Sequence, residues 1–359
     1  MERNEARSVH FFEKHERRFG VRNSPGVACV VSAAIAVACA VLAARGESAP
    51  PKPLGKLVDL GGHKLHVNCT GHGRPTVVVE SGLGDFSFDW ILVQDRVSRF
   101  TRICTYDRAG YAWSDSGPTP RTFDQLNLEL HDALLKLGER SPYVLVGHSY
   151  GGPVARNFAA TYTQMVAGMV LVDSAFEGER IPIGGGKTLR LGDGAKGVAI
   201  PAPHETVAES DKPAIRAEDL PPEVKTLDPM FKVLPAAEQE LQLWAQQLPQ
   251  VYGAEQGETE WSADYFTRWL AKPQPGVLGN IPLVVLTRAE SGYGNDLDIP
   301  AAQLDKERKD GQARLASLST NHKQITVHSG HNMNLEAPAD VTAAIREVVD
   351  AVRNKSNLE

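Results

Sequence analysis

The sequence predicts an α/β fold, one mostly parallel sheet with a long insert, and three observations carry that prediction. Short β-branched and apolar runs alternate with helical stretches from residue 54 to residue 353, as in strands joined by crossover helices. One run, Tyr143-Val144-Leu145-Val146, leads directly into Gly147-His148-Ser149-Tyr150-Gly151 and then into a helical stretch. About 110 residues of different character separate the runs ending at 172 and starting at 282. That is too long for a loop in a compact domain and reads as an inserted cap, about 176–280.

Taken in order, Leu54 to Asp59 and Lys64 to Asn68 predict an opening hairpin around Gly61-Gly62. Thr76 to Glu80, Thr-Val-Val-Val-Glu, has the continuous apolar character of a strand buried on both faces. Arg102 to Tyr106 is the next strand, Tyr143 to Val146 follows a Ser-Pro breaker, and Met169 to Val172 follows a helix. Within the cap, Ala236 to Leu248 and Ser262 to Leu270 are the helical portions, carrying Trp244 and Trp269, with Trp261 between them. Pro282 to Thr287 and Gln324 to Val327 are the last strands. The helix Ala339 to Arg353 places Val341, Ile345, Val348 and Val349 on one face.

The first fifty residues stand apart from this fold. Residues 1–26 form a polar arm in which Arg3, Arg7, Lys14, Arg17, Arg18 and Arg22 outnumber four Glu. Residues 27–44 carry no charge, and at about 1.5 Å per residue they are just long enough to cross a hydrocarbon core. The basic arm favours a cytoplasmic N-terminus and a domain beyond Arg45 on the other side. An uncleaved anchor is the expectation, with a cleaved signal ending near Val41-Leu42-Ala43, and hence a secreted or periplasmic protein, as the competing reading. A cytosolic protein is the third. Residues 45–53, Pro-rich, read as a stiff linker.

Composition excludes more than it selects. A net charge of −6 over 359 residues, with no long basic run beyond the arm, gives no case for nucleic acid. The chain has no H-x-x-x-H or C-x-x-C spacing, no phosphate-binding G-x-x-x-x-G-K-[ST] loop and no dinucleotide glycine pattern after its first strand. No metal and no organic cofactor is expected.

The sharpest local signal is the serine at 149. On a strand-to-helix turn it is forced into a strained backbone conformation, and glycines two before and two after relieve the resulting clash. The turn projects the hydroxyl off the sheet, and the helix N-terminus behind it favours developing negative charge. Pro153 is tolerated in that first turn. A hydroxyl needs a neutral imidazole within hydrogen-bond reach to act as a nucleophile. Of the 11 histidines, His331 stands out, in Val327-His328-Ser329-Gly330-His331-Asn332 after the final strand. That loop opens at the same carboxyl edge of the sheet as Ser149. His328 and His322 are rivals.

With Ser149 and His331 in this order, residues 54–353 resemble the α/β-hydrolase superfamily. Glu80-Ser81-Gly82-Leu83-Gly84 after the third strand supports the resemblance, as does Tyr106-Asp107-Arg108-Ala109-Gly110-Tyr111, similar to the superfamily's Y-D-R-x-G-x-G-x-S stretch. The resemblance implies an eight-stranded, mostly parallel sheet with helices on both faces, and an acyl-enzyme mechanism. It also implies an oxyanion hole formed by the backbone N–H groups of Tyr150 and Leu83. This chain has Ser81-Gly82 where many members have His-Gly, but an N–H donor needs only a compatible backbone.

The family's usual acid follows the strand at 282–287, where this chain reads Thr287-Arg288-Ala289-Glu290-Ser291, with no Asp at the expected place. A minority of members take it from the end of the preceding strand. There this chain has Asp173, in Val170-Leu171-Val172-Asp173-Ser174, with Glu290, Asp296 and Asp298 as alternatives. The family's strand order also sets the second strand beside the fourth, so the resemblance implies a disulfide between Cys69 and Cys104, in keeping with an exported domain.

Function follows as expectation. The resemblance implies a serine hydrolase, carboxylesterase or lipase-like, acting on a small-molecule acyl substrate and tethered to a membrane by its N-terminal segment. Amide or C–C bond hydrolysis, haloperoxidation, and a catalytically silent membrane-tethered binding protein are the alternatives. A serine at 149 argues against the usual epoxide and haloalkane hydrolysis, which takes an Asp there.

Overall fold

The computed structural model describes residues 50–204, 226–272, 275–289 and 297–358. The polar arm, the segment 27–44, most of the linker, Glu290 and Asp296 lie outside the described residues.

Eight strands form one sheet in the order β1-β2-β4-β3-β5-β6-β9-β10. They are β1 Lys56–Asp59, β2 Lys64–Thr70, β3 Thr76–Glu80, β4 Ile103–Tyr106, β5 Tyr143–His148, β6 Val166–Val172, β9 Leu283–Arg288 and β10 His322–Val327. β1 and β2 pair antiparallel, as do β2 and β4, and every other pairing is parallel. Register sets Cys69 opposite Cys104, and the two are joined as a disulfide.

Period-two alternation explains why the parallel strands read as unbroken apolar runs: both faces are covered. Val78, Leu145, Leu171 and Val285 face one core with Leu130 and Leu134 of helix α2 (Phe123–Lys136) and Phe158 of helix α3 (Gly151–Thr161). Val77, Val79, Val146, Val170 and Leu286 face the other, with Val93 and Val97 of helix α1 (Ile91–Val97). The C-terminal helix α9 (Pro338–Asn354) covers the same face through Val341, Ile345, Val348 and Val349, as its periodicity predicts.

Between β6 and β9 the insert holds more structure than its Pro- and Gly-rich sequence suggested. A hairpin, β7 (Arg180–Gly184) and β8 (Lys187–Gly194), turns at Gly185-Gly186, both at positive φ (58° and 74°) where side chains are strained. The expected helix over 236–248 ends earlier, as α4 (Ala236–Ala245), and a separate helix α5 (Pro249–Thr259) starts with Pro249 in its first turn, where the ring does least harm. Helix α6 (Ser262–Ala271) follows the expected bounds closely. The insert is seated through Leu241, Ala245, Val251 and Ala254, packed on Phe86, Phe88, Tyr111 and Trp113. Its tryptophans take part in packing: Trp244 lies 5.1 Å from Trp113, and Trp269 lies against Phe123 and under Arg156. Helix α7 (Ala301–Ala316) bridges β9 to β10, and the one-turn α8 (Met333–Glu336) precedes α9. Among the described residues no helix is long and apolar enough to cross a membrane.

Candidate active site

β3, β5, β6 and β10 all end at one edge of the sheet, and the loops that leave them there converge. Ser149 follows β5 directly, at φ 50°. A Cβ on Gly151 would stand 2.1 Å from the Glu80 carbonyl oxygen, and one on Gly147 would stand 2.7 Å from Gly152 Cα. Gly151 is therefore what lets the turn close against β3, and Gly147 what lets it close on its own helix start. The Ser149 carbonyl accepts from the Gly152 and Ala175 amides at 3.1 and 3.0 Å, which pins the strained residue.

Asp173 follows β6 directly, also at positive φ (37°), with its amide donating to Leu286 O at 2.9 Å. His331 comes from the loop after β10. Its Nδ1 lies 2.6 Å from Asp173 Oδ2 and its Nε2 lies 2.9 Å from Ser149 Oγ. An ionised carboxylate only accepts, so the imidazole carries its proton on Nδ1 and donates to Asp173, leaving Nε2 free to accept from the Ser149 hydroxyl. The structure thus brings Ser149, His331 and Asp173 into one hydrogen-bonded chain. Asp298 is elsewhere, accepting from Thr188 Oγ1 at 3.0 Å and donating its amide to Gly186 O on the β7–β8 hairpin.

The electrostatics suit an imidazole that works neutral. Burial costs the Asp173 carboxylate, but the Arg288 guanidinium and the His331 hydrogen bond outweigh it and hold the group well below the usual carboxylate range. Arg288 Nε lies 3.5 Å from Asp173 Oδ2, and its amide points at Oδ1 from 3.4 Å. The end of β9, where the resemblance implies the family's usual acid, therefore supplies a cation to Asp173 instead. For His331, desolvation and the nearby His148 and Arg288 outweigh the pull of Asp173 and lower its pKa from the ordinary histidine value.

Leu83 lies on the loop after β3, and Tyr150 follows Ser149 directly at the start of α3. Their side chains share a packed cluster with Phe123, Val154 and Tyr265. Asp85 accepts from the Gly82 amide at 3.0 Å and lies 3.1 Å from Nδ1 of His148, whose Nε2 donates to the His331 carbonyl at 3.0 Å. His148 is desolvated, but the Asp85 bond and charge outweigh that and raise its pKa. One carboxylate thereby braces both the loop bearing Leu83 and the loop bearing His331.

Reading the sequence missed Asp85, His148, Arg108, Arg288 and Glu258. His148 and Arg108 stand inside the motifs themselves and Asp85 adjoins one, so their positions carry a local signal. Glu258 has no local signal at all.

Comparison with known proteins agrees with this fold. The sequence profile described as "Alpha/beta hydrolase family" matches residues 72–345. The chain is 36% identical over 129 residues to "Probable transporter efuK" of Hormonema carpetanum, covering 34% of this chain and 18% of that protein. It is 31% identical over 129 residues to "Uncharacterized protein YbdG" of Bacillus subtilis, covering 35% and 40%. In both cases the match spans less than half of the relative's length. Among solved structures, a thermophilic esterase from Thermogutta terrifontis is similar at 20% identity and a TM-score of 0.53, covering 81% of this chain and 94% of that one. At that identity the likeness is one of fold.

Proposed function

Because the chain belongs to the alpha/beta hydrolase family, we propose that it is a serine hydrolase cleaving an ester-like bond through an acyl-enzyme on Ser149. The observation that carries this reading is the unbroken chain from Ser149 Oγ through His331 to Asp173, at 2.9 and 2.6 Å. In the proposed mechanism the Ser149 oxygen attacks the substrate carbonyl carbon while its proton passes to His331 Nε2. Asp173 orients the imidazole and stabilises the imidazolium. The backbone N–H groups of Leu83 and Tyr150 receive the oxyanion, where each donor is worth about 10²–10³-fold in rate. His331 then returns the proton to the leaving alcohol as the C–O bond breaks, and water attacks the acyl-enzyme by the same route. Cys69 and Cys104 play no part in these steps, and residues 27–44 serve as the proposed membrane tether, with the catalytic domain on the far side.

A fluorophosphonate probe on the full-length protein tests the proposal. Labelling that Ser149→Ala abolishes is expected, and a series of p-nitrophenyl esters of increasing acyl length would then define the acyl pocket. Failure of the intact wild-type chain to label would favour a silent binding protein instead.

A further inference from the structure

Arg108 is almost completely buried and uses all three of its guanidinium nitrogens. Nη1 donates to Ser81 O at 2.7 Å, Nη2 donates to Gly82 O at 2.8 Å, and Nε donates to Glu258 Oε1 at 2.8 Å. Glu258 is fully buried near the end of α5, in the insert. Its second oxygen accepts from the Tyr111 hydroxyl at 3.0 Å, and its backbone carbonyl accepts from the Tyr150 hydroxyl at 2.7 Å. The guanidinium also lies 4.9 Å from the centre of the Tyr111 ring and 5.5 Å from that of Tyr150.

Two of these bonds act on the groups proposed to hold the oxyanion. The Gly82 carbonyl and the Leu83 N–H belong to one planar trans peptide, so fixing the direction of the carbonyl fixes the opposite direction of the N–H. The bond from Arg108 Nη2 to Gly82 O therefore aims the Leu83 amide. Tyr150, whose own N–H is the second proposed donor, is tied through its hydroxyl to the backbone of Glu258. A single residue of the insert is thus one bond from one donor residue and two bonds from the peptide that carries the other.

We propose that Arg108 and Glu258 are positioning residues that make the geometry of the oxyanion hole depend on the seating of the insert. The proposal rests on the serine hydrolase reading for its kinetic consequence, but not for its structural one. With Glu258 withdrawn, Arg108 is left as a buried cation without its counterion, an arrangement that does not hold its fork on Ser81 and Gly82. Substrate activation then waits on a closed insert, because the oxyanion donors are aimed only when Glu258 is in place.

Glu258→Gln keeps the shape of the side chain and removes its charge, and Arg108→Lys keeps a charge without the fork. Glu260→Gln is the control: it removes an ion pair of the insert, with Lys196, that does not touch the loop. Hydrogen exchange on the full chain should show residues 81–85 and 249–259 losing protection together in the first two variants and not in the control. With p-nitrophenyl butyrate, kcat should fall about 10- to 100-fold while KM stays within about twofold, since the oxyanion contact is made in the transition state. Loss of protection confined to 249–259, with kcat within about twofold of wild type, would overturn the proposal. Should Glu258→Gln not fold, Tyr150→Phe carries the same test through a single hydroxyl: a several-fold loss in kcat at constant KM supports the coupling, and no change refutes it. If exchange couples the two segments but the wild-type chain neither labels nor hydrolyses, it is the hydrolase reading that has failed.

Discussion

Asp173 Oδ2 lies 2.6 Å from His331 Nδ1, across 158 residues of chain. Two loops make this contact, one leaving β6 and one leaving β10, and β9, which separates those strands in the sheet, reinforces it by sending Arg288 to the same carboxylate. Each strand end thus contributes one charge or one hydrogen bond to the imidazole, directly or through its partner.

That arrangement separates the candidate acids. Asp173→Asn is expected to lower kcat by about 10³–10⁴-fold in a folded protein, because an amide in that place favours the wrong imidazole tautomer. Asp298→Asn, which only loosens the β7–β8 hairpin, should leave kcat within about twofold. Ester hydrolysis with circular dichroism as the folding control decides the matter, and the reverse ranking would remove Asp173 from the mechanism.

The pH dependence follows from the lowered pKa of His331. The proposed base, His331, is active when neutral, so kcat/KM should rise with pH and reach half its plateau below the ordinary histidine value of about 6.5. A pH–rate profile on a p-nitrophenyl ester measures this. A midpoint at or above 6.5 would mean that the pull of Asp173 prevails over desolvation and the nearby His148 and Arg288.

Steric closure of the turn at Ser149 makes Gly151 costly to replace. A Cβ there meets a backbone oxygen of β3 at 2.1 Å, which only movement of the chain can relieve. Gly151→Ala should cost about 1–3 kcal/mol of stability, read by chemical denaturation, and should reduce fluorophosphonate labelling with it. A variant as stable and as reactive as wild type would show that the turn is looser than its contacts imply.

Glu80, fully buried at the end of β3 beneath Ser81, has its pKa raised to about 7 by burial, against the opposing pull of Arg108 and the Tyr106 hydrogen bond. A folded-state pKa above the unfolded one gives stability that is present below about pH 4.5 and lost as pH rises towards 7. Glu80→Gln escapes that loss. Its stability relative to wild type should therefore shift in its favour by about 3 kcal/mol between pH 4.5 and 8, at about 1.4 kcal/mol per unit of pKa shift. Urea denaturation at the two pH values tests it, and a constant difference would place the ionisation of Glu80 outside this range.

Legibility in the sequence tracked how local each requirement is. Strand β3 is readable because burial on both faces calls for β-branched residues in succession, here the four from Thr76 to Val79. Ser149 was readable because its backbone strain demands particular glycines within two residues. The hairpin at 180–194 and helix α5 were not, since neither has a clean period: the hairpin is largely half-exposed, and α5 carries Gly253 and Gly257 within it. What holds α5 is contact with Tyr111 and Arg108, more than a hundred residues earlier in the chain, through Val251, Ala254 and Glu258.

By itself the sequence determined the alternation of strand and helix, the strained turn at 149 and the order in which serine and histidine occur, because each of these is dictated by neighbours along the chain. Only the tertiary structure decided that Asp173 and not Asp298 meets the imidazole, that Cys69 faces Cys104, and that Glu258 reaches Arg108. Those pairings are fixed by strand register and by the packing of the insert, and the energy of a charge or hydrogen bond depends on distance through space, which no local pattern of residues encodes.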